Sequence, residues 1–485
     1  MRSALRGAVP STVYALSTVP GRSALAVVRV SGPQSASVFQ SLTRRAKQGP
    51  PPARQALLRK LYAPGMATGA SPIDTAICVW YKGPHSFTGE DTLELQLHGG
   101  RAIVAKVLQA LQELQLTPAG PGEFSRRALR HRKLGLLELE AMREAIDSDT
   151  ETQRVAAAGA GASKLRSELL SWRQTLLECL VEVQAAIDFG EDVEVTRSPV
   201  LLSRLAQLRR ESHAVLERAR RGQLLSQGVR VVLFGAPNAG KSSLLNLLAR
   251  DEHAIVSDLP GTTRDSIDTL LDMGGFKTIL SDTAGIRDLG DSGESLASRS
   301  IEQIGIQRAC GKLAAADLAV LVVDGSPEGL LAQAEISRLL QLPRPQQLVV
   351  AVNKSDLLGP STLPQAIDTW RQRLGPTVPV VPVSCKTHGG AEDLVAALKK
   401  QFTLLTGSNS QVEEPVMVSH RVHDTLENEI IASVDAVLSQ GPDTDLALVC
   451  EHLQAAAHGV GKILGDAIGI EEVLDGVFAN FCIGK

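Results

Sequence analysis

Val229-Arg230-Val231-Val232-Leu233-Phe234 is a short, almost wholly apolar run, and Gly235-Ala236-Pro237-Asn238-Ala239-Gly240-Lys241-Ser242-Ser243 follows it without a gap. The first segment reads as a buried-type strand and the second fits G-x-x-x-x-G-K-[ST]. A strand before that pattern and a helix after it are the context that makes it a P-loop rather than an ordinary glycine turn. The glycines let backbone N–H groups of Asn238, Ala239, Gly240 and Ser243 close around phosphates. Lys241 brings a point charge to the β- and γ-phosphates, and the Ser242 hydroxyl is a Mg²⁺ ligand.

Three further elements follow in order. Gly261-Thr262-Thr263-Arg264-Asp265 supplies a threonine, Thr263, to complete the Mg²⁺ shell. Asp282-Thr283-Ala284-Gly285 follows a strand at 278–281; its Asp holds Mg²⁺ through water and its Gly N–H meets the γ-phosphate. Asn353-Lys354-Ser355-Asp356 ends a strand at 348–352, and Ser384-Cys385-Lys386 backs the base. The Asp356 carboxylate, expected to be buried, accepts two hydrogen bonds from a guanine edge; adenine offers no such pair, so ATP would leave the charge unmatched. The set in this order implies a GTPase. Ile286 occupies the place where Ras-like enzymes carry a water-orienting glutamine, and no intrinsic arginine finger is evident. A cation or a partner must therefore supply charge. Asn238 is placed to give an oxygen to such a cation; the alternative is that it only braces the loop.

Strands at 229–234, 278–281, 318–323, 348–352 and 378–383 alternate with helices, the doubly wound α/β rhythm. Helical texture flanks this block. Leu165, Leu169, Trp172, Leu176, Leu180, Val183 and Ile187 recur every three or four residues before it, and Leu426, Ile430, Val434, Val437, Val449, Leu453, Val460 and Ile463 after it. An α/β domain inserted into a helical one is the simplest arrangement. Residues 11–35 read as strand, turn, strand, with further strands at 73–81 and 92–97 and a helix at 101–114, which makes an α+β domain. The 485 residues suffice for about three domains at roughly 150 residues each. The fold class is thus multidomain, α+β and α/β. A net charge of −3 excludes a global basic field, and 3% aromatic content argues against an aromatic stacking platform for RNA. Six cysteines without a C-x-x-C pair suggest a reducing compartment and no zinc knuckle. No apolar run reaches the ~18 residues of a membrane span, so none is expected. No Asp or Glu precedes Asp74, whereas ten Lys or Arg do, and residues 1–10 have the flavour of a short mitochondrial targeting segment.

The GAPNAGKSSLLN loop, SDLPGTTRD, DTAGIR and the terminal Phe481-Cys482-Ile483-Gly484-Lys485 resemble the MnmE/TrmE family of tRNA modification GTPases. So do TVYALSTVPGRSALAVVRVSGP, GPHSFTGEDTLELQLHGG and PGEFSRRAL, and the likeness is greatest to the eukaryotic, mitochondrial branch. The resemblance implies an N-terminal folate-binding and dimerisation domain at 11–133. It further implies a helical domain in two parts, 134–227 and 406–485, around a Ras-like GTPase domain at 228–405. It implies a homodimer acting with an FAD-dependent MnmG/GidA-type partner, the FAD being held by the partner. Together they would place a carboxymethylaminomethyl- or taurinomethyl-type group on carbon 5 of the wobble uridine of tRNA. A tetrahydrofolate derivative, 5,10-methylene- or 5-formyl-type, gives the carbon. Hydrolysis would be stimulated by K⁺ held by Asn238 and by the backbone around Ser257, Leu259 and Thr262; Ser257 and Thr262 would also border GTP. Glu302 falls on the water-orienting acid, which with Lys241 and Asn238 completes the catalytic group. Folate contacts fall on Arg29, Glu94, Lys133 and Lys485, with Cys482 a thiol beside them whose commoner role is inert burial. Lys133 closes a run, 125–133, with five Lys or Arg in nine residues, which reads as a folate or tRNA-phosphate contact or as a plain basic helix end. The expected location is the mitochondrion, with a bacterial-type cytoplasm as the alternative. The competing function is a ribosome-assembly GTPase of the Era/Der kind.

Overall fold

The computed structural model describes residues 11–45, 49–67, 69–159, 161–189, 199–251, 253–254, 268–282, 311–326, 340–341, 344–345, 347–407, 415–440, 445–466 and 484. Two compact units emerge, Met1–Leu139 with Gly461–Lys485, and Glu140–Val460.

In the first unit the elements are β1 (Val13–Leu16), β2 (Leu25–Ser31), α1 (Ser35–Leu42), β3 (Leu57–Leu61), β4 (Asp74–Tyr81), β5 (Thr92–His98), α2 (Arg101–Glu113), β6 (Thr117–Pro118) and α3 (Glu123–Arg130); α4 (Leu136–Ile146) begins here. The strands form one sheet in the order β3-β4-β5-β2-β1-β6, antiparallel except for the β1–β6 pair. Strand alternation sorts the residues by face. Val28, Val30, Leu93, Leu95 and Leu97 are fully buried against Val107 and Leu111 of α2. Arg29 and Glu94, directly opposite one another across β2 and β5, point to the other face. Each such leucine or valine contributes on the order of 2 kcal/mol by leaving water. A one-residue slip would therefore carry Arg29 and Glu94 into the core and is strongly disfavoured.

In the second unit come α5 (Glu151–Ala158), α6 (Gly161–Phe189), α7 (Pro199–Gln227), β7 (Val229–Phe234), α8 (Lys241–Asp251), β8 (His253–Ala254), β9 (Asp268–Met273), β10 (Phe276–Asp282), β11 (Leu318–Asp324), β12 (Gln347–Asn353), α9 (Thr362–Leu374), β13 (Val380–Pro382), α10 (Ala391–Thr406), α11 (His420–Thr425), α12 (Ala432–Ser439) and α13 (Leu446–Leu464). The sheet order is β13-β12-β11-β7-β10-β9-β8, parallel from β13 to β10 and antiparallel at β9 and β8. β7 is central and covered on both faces. Val231 and Leu233 pack with Leu244, Leu248, Leu394 and Phe402, and Val232 and Phe234 with Leu313, Trp370 and Val380. That explains its apolar run from Val231 to Phe234. On α6 the buried side chains are Leu165, Leu169, Trp172, Leu176, Cys179, Val183 and Ala186. Ile187, read as part of that stripe, is instead 39% exposed, because the buried face has drifted to Ala186 by the last turn. Trp172 closes its polar end by donating Nε1–H to Glu211 Oε2 at 2.9 Å.

Helix α7 passes directly into β7 through Gly228, whose φ of +93° suits glycine. Two of the last carbonyls of α7, on Leu225 and Ser226, accept from Gln153 Nε2 at 2.8 and 3.1 Å. Gln153 is itself fixed by a capping box with Thr150 at the start of α5. The helix end that delivers the P-loop strand is thus satisfied by side chain rather than water.

Candidate nucleotide and folate sites

Each P-loop glycine answers to a neighbour. A Cβ on Gly235 would lie 2.1 Å from Val322 O of β11, and one on Gly240, at φ +92°, would lie 2.1 Å from Asn353 Nδ2. Between them Asn238 stands exposed at φ +63°, a left-handed conformation that asparagine tolerates better than most residues. Lys241, 5% exposed, donates Nζ–H to Gly235 O and Ala236 O at 2.9 Å each, so its charge is held inside the loop. Ser242 Oγ donates to Asp282 Oδ2 at 2.7 Å, which brings the hydroxyl of the P-loop and the carboxylate ending β10 to one point. Two hard oxygens so placed fit Mg²⁺, the hydroxyl as direct ligand and the carboxylate through water.

The base-binding side is tied to the P-loop by Asn353. Its Nδ2 donates to Ala239 O at 2.8 Å and its Oδ1 accepts from Cys385 N at 3.3 Å. Asn353 thus acts as a brace. Lys354, at φ +59°, forms a 2.6 Å ion pair with Asp324 at the end of β11. Burial alone would raise the Asp324 carboxyl, but hydrogen bonds from Lys354 and Ser326 outweigh it and hold the group below its ordinary value. Burial pushes the Cys385 thiol up, Asn353 working against it and the Asp356 charge with it, so it stays a neutral thiol. Asp356 Oδ1 accepts from Ser384 Oγ at 2.6 Å, which aims the carboxylate. The expectation that Asp356 is buried is corrected: it is exposed, because it sits on a short 3₁₀ turn beyond the C-terminal end of β12. Asn238, Gly240, Ser243, Asn353, Lys354, Asp356, Leu357, Cys385 and Lys386 enclose about 580 Å³. Ser257, Leu259, Thr262, Thr263, Thr283, Ala284, Gly285, Ile286 and Glu302 lie outside the described residues, as do residues 1–10, Cys482 and Lys485.

In the first unit Arg29 donates Nε–H and Nη2–H to Glu94 Oε1 at 3.0 and 2.9 Å. Its Nη1 donates to Gly484 O at 3.3 Å, and Ser17 Oγ donates to the same carbonyl at 3.0 Å. The guanidinium lies 5.5 Å from the Phe87 ring centre and 5.7 Å from that of Phe124. Residue 484 must be glycine: its φ is +99°, and a Cβ would meet Leu16 O and Ser17 Cα at 2.6 Å. Lys133 is exposed, with Nζ on Pro84 O at 2.9 Å. Burial first, then the Glu94 charge and a hydrogen bond to it, raise the Tyr81 hydroxyl; Arg29 and Arg54 oppose them. The structure thus brings Arg29, Glu94 and the chain's penultimate residue together. Sequence reasoning missed Asp324, Ser17, Tyr81, Phe87 and Phe124. The usable signals were Asp324 closing an apolar strand, as Asp282 does, and two Phe in a chain so poor in aromatics.

A P-loop on a mainly parallel sheet, a magnesium pole at Ser242 and Asp282, and a carboxylate aimed at a base define a P-loop GTPase. Family profiles described as "GTP-binding protein TrmE N-terminus" and "MnmE helical domain" match residues 12–133 and 136–482. The chain is 37% identical to the yeast (Saccharomyces cerevisiae) mitochondrial tRNA modification GTPase MSS1, over 98% of this chain and 93% of that one. It is 39% identical to the mouse (Mus musculus) mitochondrial 5-taurinomethyluridine-[tRNA] synthase subunit GTPB3 over the same shares. To the tRNA modification GTPase MnmE of Paramagnetospirillum magneticum it is 37% identical, over 98% and 99%. The chain belongs to the MnmE/TrmE family of tRNA modification GTPases. The mitochondrial location expected from its sequence agrees with the first two relatives.

Proposed function

We propose that this GTPase works with an FAD-dependent MnmG-type partner to build a carbon-5 substituent on the wobble uridine of tRNA. A tetrahydrofolate derivative bound at Arg29, Glu94, Lys133 and Lys485 is the carbon source. The observation that carries the reading is the Arg29–Glu94 pair with the Gly484 carbonyl seated on it. A half-buried carboxylate accepts from the donor edge of a pterin, and Lys133 and Lys485 suit the glutamate carboxylates of a folate. The synthase-subunit name of the mouse relative supports both a partner protein and a taurinomethyl group over a carboxymethylaminomethyl one. A homodimer formed by the N-terminal domain, with domain limits of 11–133, 134–227, 228–405 and 406–485, belongs to the same proposal.

For hydrolysis, Mg²⁺ held by Ser242 and Thr263 offsets phosphate charge when bound. The Asn238 side chain, exposed on the P-loop, offers an oxygen to K⁺, with Ser257, Leu259 and Thr262 completing the shell. Lys241 orients the phosphates, Asp356 selects guanine, and Glu302 aligns the water. Wobble nucleosides from cells lacking the protein, measured by mass spectrometry, test the whole. Loss of the modified uridine, restored by the full chain and not by one lacking its last five residues, is expected. Unchanged nucleosides together with co-sedimentation with ribosomal subunits would restore the ribosome-assembly reading.

A further inference from the structure

Residues 11–139 carry sixteen Lys or Arg against seven Asp or Glu, a net +9 in a chain whose total is −3. All seven acids have a partner, Glu113 accepting from Gln109 Nε2 at 3.0 Å, and six of them are buried or half-buried. Asp74 bonds His98, Glu90 bonds Arg127 and Ser31, and Asp91 takes Gly83 N. Glu94 bonds Arg29, Glu123 bonds Arg127, and Glu138 takes Gly135 N. Only Glu113, on α2, is exposed.

The cations are not spread evenly. Two segments remote in sequence converge on the 82–89 loop. Arg54 donates Nη2–H to His85 O at 3.0 Å and its backbone N–H to Trp80 O at 2.7 Å. Lys133, at the end of α3, bonds Pro84 O, and the Gly89 position abuts His131. Arg54, Lys82, His85, His131, Arg132 and Lys133 are all exposed. A basic helix end alone would be a solvated face. Here the backbone folds a second loop and a turn residue onto it, concentrating like charges that an external anion would neutralise. The same loop carries Phe87 against Arg29, and Arg54 acts on Tyr81 beside Glu94, so the cationic face borders the Arg29–Glu94 site.

We infer that this face, Arg54, Lys82, His85 and Arg132, grips the sugar-phosphate backbone of the tRNA substrate and brings a nucleotide to the rim of the Arg29–Glu94 site. The inference rests on the tRNA-modifying role proposed above. Phosphate contacts carry affinity and position rather than sequence, and each one neutralised adds about 0.7–0.9 to the slope of log K against log salt.

The test uses the full chain and unmodified tRNA transcript in a fluorescence-anisotropy titration at several salt concentrations. The triple variant Arg54→Ala/Lys82→Ala/Arg132→Ala leaves Lys133 and the pocket residues intact. It should bind tRNA at least tenfold more weakly, with a salt slope shallower by about 2, while GTP hydrolysis and reduced-folate binding stay within twofold. A second triple, Arg22→Ala/Lys60→Ala/Lys106→Ala, removes equal charge from other elements of the unit and should change affinity far less. Equal losses in both triples would mean general charge attraction and overturn the inference, as would an unchanged slope in the first. Loss of folate binding in parallel with tRNA binding would assign the effect to the pocket instead. Failure of the wild-type chain to bind tRNA, with wobble uridine unaltered in its absence, would sink the proposed function itself.

Discussion

Replacing Asn353 tests whether the P-loop and the base-binding loops work as one object. The side chain is 2% exposed and spans from Ala239 O to Cys385 N. Asn353→Ala removes both bonds and leaves the carbonyl of fully buried Ala239 without its donor. An orphaned buried polar group costs about 1–3 kcal/mol. Gly240 is in contact with the same amide, so the P-loop also loses the surface that fixes its left-handed turn. If that cost appears only when both loops must hold nucleotide, GTP affinity falls by roughly 5- to 100-fold, at 1.4 kcal/mol per tenfold. Asn353→Asp should be worse than alanine, since it keeps the acceptor for Cys385 but sets a carboxylate oxygen against the Ala239 carbonyl. Titration with a fluorescent GTP analogue in Mg²⁺, paired with calorimetric unfolding, separates the loss of binding from the loss of fold. Wild-type affinity in the alanine variant, or an aspartate variant that binds better than alanine, would refute the brace.

Asp356→Asn should exchange guanine preference for xanthine, since the amide donates where the carboxylate accepted; unchanged GTP affinity in competition assays with XTP would count against the assignment. Asn238→Ala should abolish stimulation of hydrolysis by K⁺ over Na⁺ while nucleotide binding holds, and equal wild-type rates in the two salts would remove the cation mechanism. The Asp324 carboxyl is held below its ordinary 3.8, so its ion pair with Lys354 contributes stability that is present above that pH and lost as pH falls through the lowered value. Lys354→Met should therefore flatten the acid limb of the unfolding curve below about pH 4, and an unaltered limb would show the pair to be idle. Gly484→Ala forces a Cβ into Leu16 and Ser17 and, at a strain cost of about 1–3 kcal/mol, should weaken reduced-folate binding roughly 5- to 100-fold without touching GTP hydrolysis.

The G block was legible because its central strands are buried on both faces and read as apolar runs, each ending in a loop with its own chemistry. β9, Asp268–Met273, was missed: it is an antiparallel strand with a half-exposed pattern, and its sequence DTLLDM has neither a clean alternation nor a long apolar run. β3, Leu57–Leu61, was missed for the same reason, since LLRKL lies at a sheet edge where Leu58 is 63% exposed. Edge strands owe their place to one neighbour's hydrogen bonds, which leave little trace in composition. The bracing roles were harder still. Asn353 looks like a base contact in sequence, and only the fold shows its amide turned back to Ala239.

The chain's end poses the sharper case. Nothing in Cys482-Ile483-Gly484-Lys485 as a string says what Gly484 touches, for its partners are Ser17 and Arg29, more than 450 residues away. The resemblance placed Lys485 near Arg29; the geometry adds why the residue before it is glycine. A carbonyl is needed within reach of both Ser17 Oγ and Arg29 Nη1, and the β1–β2 connection leaves no room there for a side chain. Arg29 in turn would be a half-buried cation on a strand if Glu94 and that carbonyl did not take its N–H groups. A buried charge keeps its place only when its hydrogen-bonding capacity is met. The Arg29–Glu94 cluster is therefore complete only with the Gly484 carbonyl in place, which ties it to two segments far apart in the sequence.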